Sequence, residues 1–249
     1  MMEIRFLLTI VDNFFIFFSR LTIMNSNFSI VNYFNNDIKI HYPEDVDESV
    51  IKAVKKSKIW EKQIISLYQN YINKGNVVLD IGGYLGTSTI PFSLLVGEKG
   101  KVITFEPQPN IFALLEKTIQ DNNLNNVELN KKGVYNKNGK VQFIENNTGK
   151  AGINGFRKLT KKSNMIDIDT VSIDSLNLDR IDFIKIDTEG AEWEILKGAH
   201  HSINKFKPIL HIETFIKKEK NKKKLEEFCN EYGYRIMYKK SSDFILIRI

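Results

Sequence analysis

One stretch constrains the fold of this chain more than any other: Val77-Val-Leu-Asp-Ile-Gly-Gly-Tyr-Leu-Gly-Thr87. An apolar run ends in a carboxylate, Asp80, glycines follow at 82, 83 and 86, and a helix-compatible segment opens at Thr87. An unbroken apolar run of this length reads as a strand buried on both faces. Glycine lets the backbone turn through positive φ and approach a ligand closely. A buried strand that passes through a glycine turn into a helix is how open α/β sheets build a cofactor cradle.

The rest of the chain repeats the strand–helix alternation. Val50 to Ile72 reads as one or two helices. Lys101 to Glu106 reads as a second strand, Asn110 to Asn122 as a helix, and Val127 to Leu129 as a third strand. Val141 to Ile144 alternates like an added strand, and the glycine-containing, basic stretch 146–164 reads as a long loop of the kind that forms lids. Ile181 to Asp187, the helix Ala191 to Ala199, Lys207 to Glu213, and a lysine-rich helix over 218–232 follow. Tyr234 to Tyr238 and Phe244 to Ile249 close the chain as a strand pair. The pattern predicts an α/β fold: a doubly wound, mostly parallel sheet with an antiparallel C-terminal edge hairpin.

Length and charge narrow the function class. The 249 residues suit a single α/β core. The net charge of +6 is nearly all explained by 217–224, where six lysines and one glutamate give +5. The remainder is close to neutral, so no nucleic-acid partner is expected. A single cysteine, Cys229, excludes an internal disulfide and fits a reducing, cytoplasmic setting. The apolar run Phe6 to Phe18 carries Asp12 and falls short of the roughly 20 residues of a spanning helix. We read residues 1–48 as an irregular extension with a short strand or hairpin between 28 and 40. A weak signal anchor, or upstream sequence preceding a start at Met24, are the alternatives. Membrane association and oligomeric state stay open.

Four successive strands end in acid: Asp80, Glu106, Asp187 and Glu213. In a parallel sheet these ends share one edge, where ligands bind. The glycine spacing then separates cofactors. A dinucleotide loop wants glycines at i, i+2 and i+5, whereas here they stand at i, i+1 and i+4 with an acid two residues ahead. Asp-x-Gly-x-x-x-Gly is instead the skeleton of an S-adenosylmethionine loop. Glu106, 20 residues past Gly86, is placed to accept both ribose hydroxyls of a nucleoside.

The segments Val77–Gly86, Val102–Pro109, Ile181–Glu192, Ile195–Ala199 and Lys207–Glu213, in that order, resemble the FkbM family of S-adenosylmethionine-dependent methyltransferases. The resemblance covers about residues 76–214. It implies a Rossmann-like class I methyltransferase fold with seven strands over 49–249, whose cofactor half is about 76–145 and whose acceptor-side loop is about 146–164. It further implies methyl transfer to a small-molecule acceptor, usually to a hydroxyl oxygen and often of a sugar or a secondary metabolite, with S-adenosyl-L-methionine as cofactor; the basic residues of the 146–164 loop hint at a phosphorylated acceptor such as a nucleotide sugar. The cofactor-binding residues it marks are Asp80, Gly82, Gly83, Tyr84, Gly86, Thr87, Glu106 and Pro107, with Asn136 at the adenine. Two positions depart from the family: Tyr84 replaces the asparagine of Gly-Ala-Asn, and Asn136 replaces an acid. A degenerate methyltransferase-like binding module therefore stays open as an alternative, and a nicotinamide-dependent oxidoreductase as a weaker one.

An acceptor hydroxyl needs a base or an orienting group. Asp187 and Glu189, on the turn after the strand beside the cradle, are the catalytic candidates, with Glu213 next. Charge neutralisation in such a transfer needs no metal; were one used, Asp187 and Glu213 could supply oxygen ligands. His211, mid-strand, reads as a core residue, Trp60 and Trp193 as packing residues, and Lys185 as the partner of an acid within the sheet. Lys150, Arg157, Lys158, Lys161 and Lys162 mark the 146–164 loop for acceptor contact.

Overall fold

A computed structural model describes residues 26–44, 46, 48–146, 152–153, 163–214 and 219–249. The apolar run Phe6 to Phe18, the basic residues 150–162, and Asp45 and Asp47 lie outside the described residues, and the N-cap position of the first helix is taken by Glu48. Among the described residues no helix is long and apolar enough to cross a membrane.

The lead-in is a regular hairpin where the sequence suggested an irregular segment with a short strand or hairpin. Strands β1 (Ser26–Tyr33) and β2 (Asn36–Pro43) pair antiparallel over their whole length. Helices α1 (Ser49–Lys55) and α2 (Lys62–Tyr68) follow. Then come β3 (Val77–Ile81), α3 (Thr89–Val96), β4 (Lys101–Phe105), α4 (Pro109–Asp121) and β5 (Val127–Asn130). Pro109 opens α4 where its missing N–H costs nothing, and Ile111, Leu114, Leu115 and Thr118 form its buried stripe.

Four strands are inserted next: β6 (Gly133–Val134), β7 (Gly139–Asn146), β8 (Gly152–Ile153) and β9 (Ser163–Val171). They form a second sheet in the order β6-β9-β7-β8. The stretch read as a loop over 146–164 is therefore partly strand: β7 and β9 pair antiparallel from Gly139↔Thr170 to Asn146↔Ser163. The chain ends with β10 (Phe183–Ile186), α5 (Glu192–Lys197), α6 (His200–Phe206), β11 (Ile209–Glu213), α7 (Glu219–Tyr232), β12 (Tyr234–Lys240) and β13 (Asp243–Arg248). The helix expected over 191–199 is α5, and α6 follows it beyond Gly198, whose Cα packs so closely on the Tyr135 carbonyl that a Cβ would lie 2.4 Å from it.

The main sheet has seven strands in the order β12-β13-β11-β10-β3-β4-β5. Strands β11, β10, β3, β4 and β5 are parallel, and β13 inserts antiparallel between β11 and β12. Alternate residues feed two cores. Val78, Val102, Phe183 and Ile245 pack with the hairpin and α1–α4, while Leu79, Ile103, Ile184 and Leu210 pack with α5–α7. Strand order reverses between β3 and β10, so the β3 and β10 loops open side by side at the switch point where such sheets bind ligands.

The hairpin is fastened to this frame by side chains that imitate strand pairing. Asn122 accepts from Lys39 N at 2.9 Å and donates to Lys39 O at 2.7 Å, and His41 N donates to Thr118 Oγ1 at 3.0 Å. His211 is a buried tie: its Nδ1 bonds Tyr68 Oη at 2.9 Å and its Nε2 bonds Asp243 Oδ1 at 3.0 Å.

Candidate functional site

The glycine loop is held by both strands that flank β3. Gly82 N and Gly83 N both donate to Phe105 O, at 3.0 and 3.1 Å, and Asp187 N donates to Ile81 O at 3.0 Å. Gly82 has φ +93°, and a Cβ there would sit 2.0 Å from the Asp187 carbonyl oxygen. The position is closed to any side chain, which explains this glycine without reference to a ligand.

Beside the loop lies a cleft of about 240 Å³. Of the residues singled out from the sequence, Gly82, Tyr84, Thr87, Glu106, Pro107, Asp187, Glu189 and Glu213 line it together. Asp80 lies behind the lining, fully buried, and accepts from Thr89 Oγ1 at 2.6 Å. Burial raises its pKa to about 6, and the Lys185 ammonium opposes that rise. Gly83 and Gly86 also lie behind the lining, packed on Leu115. Asn136 is directed elsewhere: its Nδ2 donates to Glu194 Oε2 at 2.6 Å. Lys132, Gly133 and Val134 occupy the adjoining wall of the cleft instead.

Glu106 ends β4 as a buried carboxyl group. Its Oε2 accepts from Tyr84 N at 3.0 Å and its Oε1 from Gln108 N at 2.9 Å. Burial pushes its pKa up to about 7, against the lowering effect of those two main-chain donors. Each oxygen keeps lone-pair capacity for a further donor in the cleft.

The other end of the cleft is a knot of ionisable groups. Lys185 stands in the middle of β10, in register with Asp80 on β3 and His211 on β11. Its Nζ donates to Asp187 Oδ2 at 2.8 Å, and its side chain is only 4% exposed. Burial works against the Lys185 charge, but Asp187 and Asp80 outweigh it and raise its pKa. Burial likewise works against the Asp187 charge, and Lys185 overcomes it, holding that carboxyl below its usual range. Glu213, hydrogen-bonded to Asp187, moves the other way: burial and the Asp187 charge push its pKa up to about 9. Of the two, Glu213 is the carboxyl that holds a proton more firmly. Ser242 Oγ donates to Glu213 Oε1 at 3.0 Å.

Glu189 is exposed at the rim with φ +59°. The following helix takes its N-terminal acceptor from Glu192, which receives Gly190 N at 2.6 Å and Thr188 Oγ1 at 3.2 Å.

Two residues of the lining, Glu48 and Glu61, were not singled out from the sequence; they line the cleft from the segment ahead of β3, together with Trp60, which reads from the sequence as a packing residue. Glu61 adopts φ +49° at the start of α2, and burial followed by the Asp243 charge raises its pKa to about 7. No local pattern marks these residues. Phe143 and Ile168, from β7 and β9, supply an apolar wall whose only sequence signal is the alternation around Val141.

The profile of the methyltransferase FkbM domain matches residues 80–236, the segment that carries both the glycine loop and the acid-bearing strand ends. The chain belongs to the FkbM methyltransferase family. A second profile, for protein-L-isoaspartate (D-aspartate) O-methyltransferases, matches residues 18–138. The hexuronic acid methyltransferase AglP of Haloferax volcanii is 26% identical over 147 residues, 57% of this chain and 58% of that protein. A probable cobalt-precorrin-6B C(15)-methyltransferase (decarboxylating) of Sulfolobus acidocaldarius is 32% identical over 84 residues, 33% of this chain and 44% of that protein. This chain thus spans about half the length of these relatives. The crystal structure of a methyltransferase FkbM from Methylobacillus flagellatus shares the fold, with a TM-score of 0.52 at 19% identity over 73% of this chain and 49% of that one.

S-adenosylmethionine is the methyl donor of the family, and the residues of the cleft fit it. The buried Glu106 carboxyl meets the need of ribose hydroxyls for an acceptor, and Gly82, where a Cβ would collide with the Asp187 carbonyl, brings main chain to the cleft beside Tyr84 and Thr87.

Proposed function

We propose that the chain is an S-adenosylmethionine-dependent O-methyltransferase acting on a hydroxyl of a sugar or another small molecule. The observation that carries this reading is the placement of Glu106 and Asp187 in one cleft, the first held by main-chain N–H groups and the second by Lys185. Membership of the family supports the reaction, and the hexuronic acid methyltransferase among the relatives supports a sugar acceptor.

S-adenosylmethionine, when bound, supplies an electrophilic methyl group on a sulfonium. Glu106 accepts the ribose hydroxyls, and the main chain of the glycine loop bounds the donor. Asp187 accepts a hydrogen bond from the acceptor hydroxyl and takes its proton on the carboxylate. Its depressed pKa suffices, because the oxygen becomes far more acidic as its bond to carbon forms. Lys185 fixes the Asp187 carboxylate in place, and Glu213 holds its own proton toward Asp187 and leaves it ionised. The acceptor lies between these acids and the apolar wall of Phe143 and Ile168.

Calorimetry with S-adenosylhomocysteine tests the cofactor half of the reading. Glu106→Ala loses two charge-assisted hydrogen bonds and should weaken binding at least about 100-fold. Equal affinity in the variant would overturn the assignment. In the acceptor half, Asp187→Asn should lose methyl release to a panel of glycosides while cofactor affinity holds; retained turnover would remove Asp187 from the reaction.

A further inference from the structure

Tyr84 is the residue that the family resemblance leaves unexplained, and its surroundings give it a purpose. It takes a left-handed conformation, φ +47°, which side chains rarely adopt and which must be held by contacts. Its N–H donates to Glu106 Oε2 at 3.0 Å. Its ring packs against the core on the hairpin side of the sheet. Its hydroxyl donates to Glu48 Oε2 at 2.7 Å, across 36 residues of chain.

Glu48 occupies the N-cap position of α1, yet its side chain makes no capping hydrogen bond there. It reaches instead to the cofactor loop. Glu48, Val50, Trp60 and Glu61 form one wall of the cleft, and Tyr84 belongs to the loop that forms the next. The Tyr84–Glu48 bond therefore joins two walls of the cleft, and through Tyr84 N it continues to Glu106. Burial and then the Glu48 partner raise the phenol pKa, so the hydroxyl remains a donor at physiological pH.

We infer that Tyr84 is a positioning residue that straps the helical lead-in onto the cofactor loop, so that the Tyr84–Glu48 bond sets how long the adenosyl cofactor stays bound. The inference rests on the cofactor reading of the cleft. Cofactor held behind the strap leaves when the lead-in wall parts from the loop, and that motion breaks this bond. Tyr84→Phe keeps the ring and its packing and removes only the bond.

Stopped-flow binding of S-adenosylhomocysteine, together with melting of the ligand-free protein, tests the strap. Tyr84→Phe should raise the dissociation rate at least about tenfold, the effect of losing a hydrogen bond to a charged group, with little change in association rate. Glu48→Ala should reproduce that rise, and the double variant should add nothing to either single one. A residue that only stabilises the loop would instead lower the melting temperature of the free protein and leave the dissociation rate as it was. An unchanged dissociation rate in Tyr84→Phe, or additive effects in the double variant, overturns the strap. Should Tyr84→Phe fail to fold, Glu48→Ala carries the same decision. Wild-type protein that binds no S-adenosylhomocysteine overturns the cofactor reading and the strap together, whereas tight binding with unaltered release in the variants overturns the strap alone.

Discussion

The two ends of the cleft are built in different ways. At the cofactor end the main chain does most of the shaping: Gly82, Gly83 and Tyr84 are held by carbonyls and by one carboxyl group, and Glu106 is held by two N–H groups. At the acid end the side chains hold one another. Lys185, Asp187 and Glu213 form a bonded series, and Glu61 faces them from the lead-in. The first end depends on backbone geometry around a single carboxyl group, Glu106, whose charge it needs. The second depends on a balance of protons and should respond to pH and to isosteric substitutions.

The largest effect is expected where the two ends touch. Gly82 belongs to the cofactor loop, but the atom that excludes a Cβ there is the carbonyl oxygen of Asp187, 2.0 Å from where that Cβ would lie. Gly82→Ala must displace the end of β10 and carry Asp187 with it. The expected cost is at least about 3 kcal/mol in urea unfolding, from steric overlap added to a left-handed φ, together with loss of S-adenosylhomocysteine binding. A cost below about 1 kcal/mol would show that the two ends move independently.

The same contrast governs what could be read from the sequence. The cofactor end is local: Asp80, the glycines and Glu106 all fall within 77–107, and each carries its own signal of spacing or strand-end position. The acid end is only half local. Asp187 and Glu213 were legible as strand-terminal acids, but their pairing comes from the adjacency of β10 and β11, which is a property of strand order. Glu61 had no signal, because its role follows from how α2 packs over the sheet and from a left-handed turn that no glycine announces. Asn136 was marked for the adenine by the family resemblance alone; it lies outside the cleft lining, with its amide donating to Glu194. Secondary structure followed periodicity closely in the buried parallel strands. It departed in the 146–164 stretch, where glycines suggested a loop although β7 and β9 pair to its edges.

A middle-sized effect separates the two ends by pH. Burial lifts the Glu106 pKa to about 7, and ribose hydroxyls require its ionised form as acceptor. Affinity for S-adenosylhomocysteine should therefore rise with pH up to about 7 and level off above it. The slope below that point should approach tenfold per pH unit if only the ionised form binds. Titration calorimetry between pH 5.5 and 8 (a range of about one and a half units below the midpoint and one above) reads this directly. Glu106→Ala should flatten the profile. A slope that persists in that variant would move the controlling group to Glu61, whose pKa is also raised to about 7, and so from the cofactor end to the acid end.

The effect that is smallest at pH 5 isolates the shared proton. Glu213 carries a pKa of about 9 in the folded protein, against about 4.3 for an unfolded glutamate. Its contribution to stability is full below the unfolded value and is lost as pH rises through the folded one, since the unfolded chain gives up this proton first. Glu213→Gln imitates the protonated acid: the amide can donate to Asp187, its oxygen can still accept from Ser242 Oγ, and it has no proton to lose. At pH 5 the variant and the wild type should melt within about 2 °C of each other, because both present a neutral donor to Asp187. Between about pH 5 and 9 the difference should turn steadily in favour of the glutamine protein. Were the difference instead flat over that range, Glu213 would be ionised in the fold as it is in the unfolded chain, and it would hold no proton toward Asp187.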